Sequence, residues 1–173
     1  MGPLNATSGV ETLILPERSE ALTTEPAREG AVEAAREPSA EAQIQRRHRG
    51  RRVLLVEDDP SNQAVTLELL GELGLCPDLA RNGAEAIELA GETDYAVILM
   101  DLRLPRVSGL EAARTIRLLP GRARTPIVAV SASVFPCDRE SACLAGMDDF
   151  IAKPIEWGLL CATLLRWLDR PGE

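Results

Sequence analysis

Hydrophobic and polar positions fall into two regimes along the chain, and the change comes near residue 52. Beyond it, short apolar runs alternate with stretches in which apolar residues recur three and four apart. The short runs are Val53-Leu54-Leu55-Val56, Cys76 to Ala80, Tyr95 to Met100, Ile127-Val128-Ala129-Val130 and Asp149-Phe150-Ile151-Ala152. Bounded by turn residues, they read as strands, several of them buried on both faces. The stretches between them read as helices. The first follows Pro60, with Ser61 as its cap, Val65, Leu69, Leu70 and Leu73 facing inward, and Gly74 closing it. The second follows the Asn82-Gly83 turn and carries Ala86, Ile87 and Ala90. The third spans about Ser108 to Leu118, with Ala112, Ala113 and Ile116 inward, and is broken by Pro120 and Gly121. Asp138 to Ala145 is short and poorly amphipathic. Trp157 to Leu168 presents Leu160, Leu164, Leu165 and Leu168. Five strands alternating with five helices predict an α/β fold, a doubly wound parallel sheet with helices on both faces.

Residues 1–50 show no such pattern. They are rich in Ala, Glu, Arg, Pro, Ser and Thr, and Pro3, Pro16, Pro26 and Pro38 punctuate them. Glu25, Glu29, Glu33, Glu37 and Glu41 recur every four residues, which on a helix would line up like charges. The expectation is a disordered N-terminal extension over 1–50 and one domain over 51–170. Leu13-Ile14-Leu15 is the one apolar cluster of the extension. Gln45 to Arg52, a basic run holding the chain's only histidine, His48, reads as a solvated hinge into the domain.

Charge sharpens this division. Eight Glu and eight Arg cancel over residues 1–52, so the whole net charge of −8 lies in the rest. An acidic folded part argues against a nucleic-acid surface. The start lacks the basic and apolar regions of a secretory signal, Ala6 breaks the myristoylation pattern, and no apolar run approaches a membrane span. Cys76, Cys137, Cys143 and Cys161 form no CxxC pair and read as reduced core or near-core residues, which fits the cytoplasm. The chain has eighteen Arg but one Lys, Lys153, and so asks for a chemical reason at that position.

Chemistry gathers at the carboxyl ends of the strands, where open α/β sheets bind ligands. The first strand ends in Glu57-Asp58-Asp59, the third in Asp101, the fourth in Ser131, the fifth in Lys153-Pro154. Pro105 and Gly109 shape the loop after Asp101. In a parallel sheet these ends share one edge. Two carboxylates about 4 Å apart repel by roughly 4 kcal/mol at an effective dielectric near 20, so the cluster needs cations. Lys153 supplies one charge, and oxygen ligands left partly open suit Mg²⁺. A carboxylate beside a metal ion, an ammonium and a hydroxyl is suited to accept a phosphoryl group by in-line attack.

The stretches VLLVEDDPSNQ, VILMDLRLPRVSGLEA, PIVAVSAS and GMDDFIAKPI give residues 52–169 a plain resemblance to the receiver domain of two-component response regulators. Their wording is most similar to receivers of hybrid sensor histidine kinases. The resemblance implies a flavodoxin-like sheet of order 2-1-3-4-5 and Mg²⁺ as cofactor. It implies that Asp101 is the phospho-acceptor and that Glu57 and Asp58 form the acidic pair, with Asp58 a direct metal ligand. The carbonyl of Arg103 would be a further ligand, Ser131 and Lys153 would contact the phosphoryl group, and the Lys153-Pro154 bond would be cis. Ser131 and Phe150 would form the switch. Phe150 stands where Tyr is commoner and Ser131 where Thr is commoner. Arg103, two residues after Asp101, holds a position that the family uses to tune phosphoryl loss, either shielding the acyl phosphate or pairing with Glu57.

The implied function is two-component phosphorelay signalling, with phosphoryl transfer from a phosphohistidine and a change of protein contacts. Such a domain is no enzyme beyond its own phosphorylation and dephosphorylation. The implied partners are a sensor histidine kinase, a histidine phosphotransfer protein, or both, and a downstream protein target, with no nucleic acid and no membrane. A monomer or a weak phosphorylation-dependent dimer is expected. No output domain is expected after the last helix. Two other readings compete. A pseudo-receiver would keep the fold as a binding module without phosphorylation. A haloacid-dehalogenase-like phosphatase would also use an Asp nucleophile, but with a second Asp where Arg103 stands and its acidic pair last in the chain.

Overall fold

The computed structural model describes residues 38–133 and 135–170. Among them, five strands alternate with six helices. The elements are α1 (Ala40–Arg47), β1 (Arg52–Val56), α2 (Pro60–Glu72), β2 (Cys76–Ala80), α3 (Gly83–Glu92), β3 (Val97–Asp101), α4 (Gly109–Leu118), β4 (Ile127–Ser131), α5 (Pro136–Leu144), β5 (Asp149–Ala152) and α6 (Trp157–Leu168). The strands form one parallel sheet of order β2-β1-β3-β4-β5. This is the doubly wound, flavodoxin-like arrangement, and the order reverses between β1 and β3.

Alternation along the strands divides the core into two layers. Leu54, Val56, Ile98, Met100, Ile127 and Ala129 face one way, against Ala86 and Ala90 of α3, Ala112, Ala113 and Ile116 of α4, and Ala142 of α5. Val53, Leu55, Val97, Leu99, Val128, Val130 and Ile151 face the other way, against Leu70 of α2, Ile44 of α1, and Leu160, Leu164 and Leu168 of α6. The first layer is rich in alanine, which lets helices lie close to the sheet. Successive side chains on a strand point to opposite faces, so a continuous apolar run serves both layers.

Four sequence expectations need correction. Residues 40–47, expected to belong to a disordered extension, are helical. Ser39 caps α1, its hydroxyl accepting from the Ala42 N–H (3.2 Å), and Ile44 is fully buried in the second layer. The run from Gln45 is consequently no solvated hinge. Gln45 donates to the Glu72 carbonyl (2.9 Å), Arg47 to Asp169 (2.7 Å), and His48 Nε2 to Asp169 (2.6 Å). One large apolar residue, Ile44, with only two alanines beside it in a polar octet, hid this helix. The expected disorder of the preceding part, and Leu13-Ile14-Leu15, lie outside the described residues.

Second, α2 is capped by Asp59, not Ser61. The Asp59 carboxylate accepts from the N–H groups of Ser61 (2.9 Å) and Asn62 (3.0 Å), with Pro60 opening the helix. Third, the buried face of α2 runs through Gln63, Thr66 and Leu70, and Val65 is 58% exposed. The Gln63 amide is held inward by donating to the Glu57 carbonyl (2.8 Å). Fourth, Cys76, Cys137 and Cys143 are exposed and only Cys161 is buried, where desolvation and the nearby Glu41 charge push its thiol up to about 11. All four are free thiols. Two elements also shift by a residue or two: α5 begins at Pro136, and β3 covers Val97–Asp101.

Candidate functional site

The parallel sheet brings the strand ends to one edge, and backbone hydrogen bonds fix the residues just beyond them. The Glu57 N–H donates to the Ala80 carbonyl (3.0 Å), that of Leu102 to Val130 (3.4 Å), and that of Lys153 to Ser131 (2.8 Å). Each polar residue therefore sits one step past, or on, the last rung of its strand. Asp101 is the last residue of the central strand and is only 6% exposed.

Glu57, Asp58 and Asp101 each offer a carboxylate oxygen, and these oxygens lie within 4.8 Å of one another. Lys153 Nζ reaches across from β5 to Glu57 Oε2 (2.5 Å) and also donates to Asp101 Oδ2. Its peptide bond to Pro154 is cis, as the sequence led one to expect. The other Asp101 oxygen accepts from the Arg103 N–H (2.8 Å). Glu57 Oε1 accepts from the Asp59 N–H (3.2 Å) and from Asn62 Nδ2 (3.3 Å). Three carboxylates thus face one ammonium, an excess of negative charge in a partly buried place. Burial is the largest single influence on Lys153 and opposes its charge. The bonds to Asp101 and Glu57 and their charges outweigh it, so Lys153 titrates above an ordinary lysine.

The geometry also separates the two adjacent aspartates. Asp59 is occupied in capping α2, whereas Asp58 is exposed and joins the acidic cluster. A trio of hard oxygen donors with one ammonium among them, and one donor open to solvent, fits a divalent cation that keeps part of its water shell. The cluster matches the Mg²⁺ site of receiver domains.

Ser131 ends β4 with its side chain buried, its Oγ accepting from the Ser133 N–H (3.1 Å). Phe150 on β5 is half-buried, packed against the first core layer, with the Arg139 guanidinium of α5 over its ring at 4.6 Å. Arg103 is exposed and makes no ion pair among the described residues; Glu57 takes Lys153 instead. Sequence reasoning singled out Gly109 as a loop former but missed how close it comes. A Cβ there would lie 2.0 Å from the Asp101 carbonyl oxygen, so the loop folds back against the site only with glycine. It also missed Asn62 and Gln63 as supports of Glu57, and Arg139. The Asn and Gln stand in the acidic motif itself, three and four residues after the Asp59 cap, which was the available signal.

The same architecture and site recur in known proteins. The model of the response regulator receiver domain matches residues 53–165. The Escherichia coli K12 signal transduction histidine-protein kinase BarA is 36% identical over 121 residues, which cover 70% of this chain and 13% of that kinase. The aerobic respiration control sensor protein ArcB of the same organism is 35% identical over 118 residues, covering 68% of this chain and 15% of ArcB. The chain therefore spans a small fraction of the curated relatives it matches. Among solved structures, the receiver domain of a sensor histidine kinase from Pseudomonas aeruginosa PAO1, with a magnesium ion coordinated in its active-site cleft, is 40% identical. It superposes with a TM-score of 0.67, covering 70% of this chain and 99% of that one. In sequence, fold and arrangement of its acidic edge, the chain belongs to the response regulator receiver domain family.

Proposed function

We propose that Asp101 accepts a phosphoryl group from a phosphohistidine and that the acyl phosphate so formed changes the protein's contacts. The observation that carries this reading is the buried carboxylate at the end of the central strand. It is hydrogen-bonded to Lys153 and flanked by Glu57 and Asp58. An oxygen of Asp101 attacks phosphorus in line, the P–N bond breaks, and its electron pair stays on the imidazole of the donor. Water attacking the same phosphorus later returns the carboxylate and inorganic phosphate. The domain catalyses nothing beyond these two steps on itself.

Asp58 and Asp101 directly, Glu57 in support, and the Arg103 backbone carbonyl would hold Mg²⁺. When bound, that ion offsets carboxylate repulsion and the charge on the transferring oxygens. Lys153 places a compact positive charge at one phosphoryl oxygen, and the Ser131 hydroxyl donates to another. Turning toward the phosphoryl group takes Ser131 from the Ser133 N–H and leaves room for Phe150 to move inward, a two-state shift set off by a local charge. The domain keeps the pocket residue types of an active receiver, which favours phosphorylation over a pseudo-receiver role.

The donor is a sensor histidine kinase or a histidine phosphotransfer protein, and the readout a downstream protein, met in the cytoplasm. Among the described residues no helix is long and apolar enough to cross a membrane. Acetyl phosphate with Mg²⁺ should label the wild-type protein with an acid-stable, alkali-labile phosphate. Asp101→Asn should take up none. Equal labelling of the two proteins would remove Asp101 from its role, and unlabelled wild type under cognate and small-molecule donors would favour the pseudo-receiver.

A further inference from the structure

The two groups of the switch, Ser131 and Phe150, stand on different strands, β4 and β5, and one helix reaches both. Asp138 and Arg139 are neighbours in the first turn of α5. The Asp138 carboxylate accepts from the Ser133 hydroxyl, and the Ser133 N–H in turn donates to Ser131 Oγ (3.1 Å). A carboxylate in a first turn favours its helix wherever it points; this one points out of the helix to Ser133. Arg139 holds its guanidinium 4.6 Å over the Phe150 ring. It is exposed and forms no ion pair among the described residues, so the ring is the contact that holds it.

A contact biases a two-state equilibrium only where one of the states lacks it. Ser133 is buried. When Ser131 turns to the phosphoryl group, the Ser133 N–H loses its acceptor while still buried, and the residue must move to find another. Asp138 grips the hydroxyl of the same residue and opposes that movement. Phe150 is half-buried, and moving inward takes its ring from beneath the Arg139 guanidinium. Both contacts therefore belong to the resting arrangement.

We infer that Asp138 and Arg139 are positioning residues that hold the switch at rest, the first through Ser133 and Ser131, the second through Phe150. This rests on phosphoryl acceptance by Asp101 and goes beyond it, naming what sets the balance of states before the phosphoryl group arrives. Neither residue touches the reacting atoms. An exposed cation–π contact shifts an equilibrium by about two- to five-fold, and a hydrogen bond to a charged group by about ten-fold or more. Losing either contact raises the fraction of chains already in the active arrangement. A ligand of that arrangement then binds tighter by the same factor, as long as the resting state dominates.

Beryllofluoride with Mg²⁺, a mimic of the acyl phosphate, is the probe, and its affinity for the full chain is read by fluorine NMR. Asp138→Ala and Ser133→Ala should each bind it about ten-fold tighter than wild type, and the double variant no tighter than either, because all three lack the same bond. Arg139→Gln should bind about three-fold tighter, and Arg139→Lys, which keeps a cation over the ring, should stay within about two-fold of wild type. Without beryllofluoride, the Phe150 ring carbons of Arg139→Gln should shift toward their positions in the beryllofluoride-bound wild type. A merely structural role would lower the urea midpoint and leave affinity unchanged or weaker, so a gain does not come from damage. Wild-type or weaker affinity in Asp138→Ala and Arg139→Gln would overturn the inference and leave phosphoryl acceptance standing. Wild type that took up neither beryllofluoride nor acetyl phosphate would overturn phosphoryl acceptance, and the resting role with it.

Discussion

At the scale of single residues the acidic edge is a problem of charge and clearance. Lys153 is the only lysine among eighteen arginines, and its Nζ touches two carboxylates at once. A compact ammonium can do this where a planar guanidinium, longer and fixed in shape, would push one of them aside. Lys153→Arg should therefore keep most of the stability and some labelling but lose the switch. The expected result is little change in hydrogen exchange of α5 on phosphorylation; wild-type exchange changes would make the lone lysine an accident of composition. Gly109 sets the clearance. A methyl group 2.0 Å from the Asp101 carbonyl oxygen cannot be accommodated without moving backbone. Gly109→Ala should cost about 1–3 kcal/mol in a urea denaturation, the scale of overpacking, and should slow labelling with it. Unchanged stability would show that the loop has slack. Most of this site was legible in the sequence, because strand ends in a parallel sheet must share an edge and each carried a polar residue. What could not be read was which neighbour each carboxylate would choose. Asp58 and Asp59 look alike in sequence. Only the start of α2 shows that one caps a helix and the other faces the site.

At the scale of elements, the strands and the helices α3, α4 and α6 followed from periodicity, since an apolar run or a face repeated at three and four residues has few other uses. The helix α1 did not, because it contributes one large apolar side chain, a small one at Ala40 and a set of polar contacts. Ile44 is buried against α6, Glu41 accepts from the Trp157 indole N–H (3.3 Å), and Arg47 and His48 hold Asp169. A chain begun at Gly50 would keep the whole domain expected over 51–170 but lose α1. With α1 in view, it should be less stable, since removing a buried isoleucine side chain alone costs about 2–5 kcal/mol. Ile44→Ala in the full chain is the cleaner test, read as a lowered urea midpoint with labelling intact; no change would show that α1 merely rests on α6. The clasp should also open in acid. The His48 hydrogen bond is the largest influence on the Asp169 carboxyl; burial opposes it, and with the help of Arg47 the carboxyl is held below the ordinary aspartate range. A carboxyl depressed in the folded state stabilises fully above its unfolded value, about 3.9, and the contribution fades as pH falls through the folded value. Protection of α1 amides from exchange should accordingly fall below about pH 4 before the sheet is affected, and Asp169→Asn should remove that acid step.

At the scale of the whole molecule, the acidic edge stores repulsion that folding must overcome. Glu57 and Asp101 are buried and share one ammonium, and Asp58 stands beside them without it. A cation bound by the folded chain and absent from the unfolded chain stabilises by RT ln(1 + [L]/Kd), about 1.4 kcal/mol at ten times Kd. For a domain of this size that is roughly 4–7 °C in Tm. Mg²⁺ should therefore raise the melting temperature by that amount, and a chelator should reverse it. Asp58→Asn removes the solvent-facing charge and separates two effects. Without Mg²⁺ it should melt at or above the wild-type temperature, because a like charge has gone from the cluster and no hydrogen bond of the fold depends on it. With Mg²⁺ it should gain little, because a ligand has gone as well. Differential scanning calorimetry on both proteins, with and without Mg²⁺, reads all four values. If Asp58→Asn melted well below wild type without Mg²⁺, Asp58 would be holding the fold together. If it kept the full Mg²⁺ gain, the ion would bind elsewhere, and the acidic edge would owe its three carboxylates to Lys153 alone.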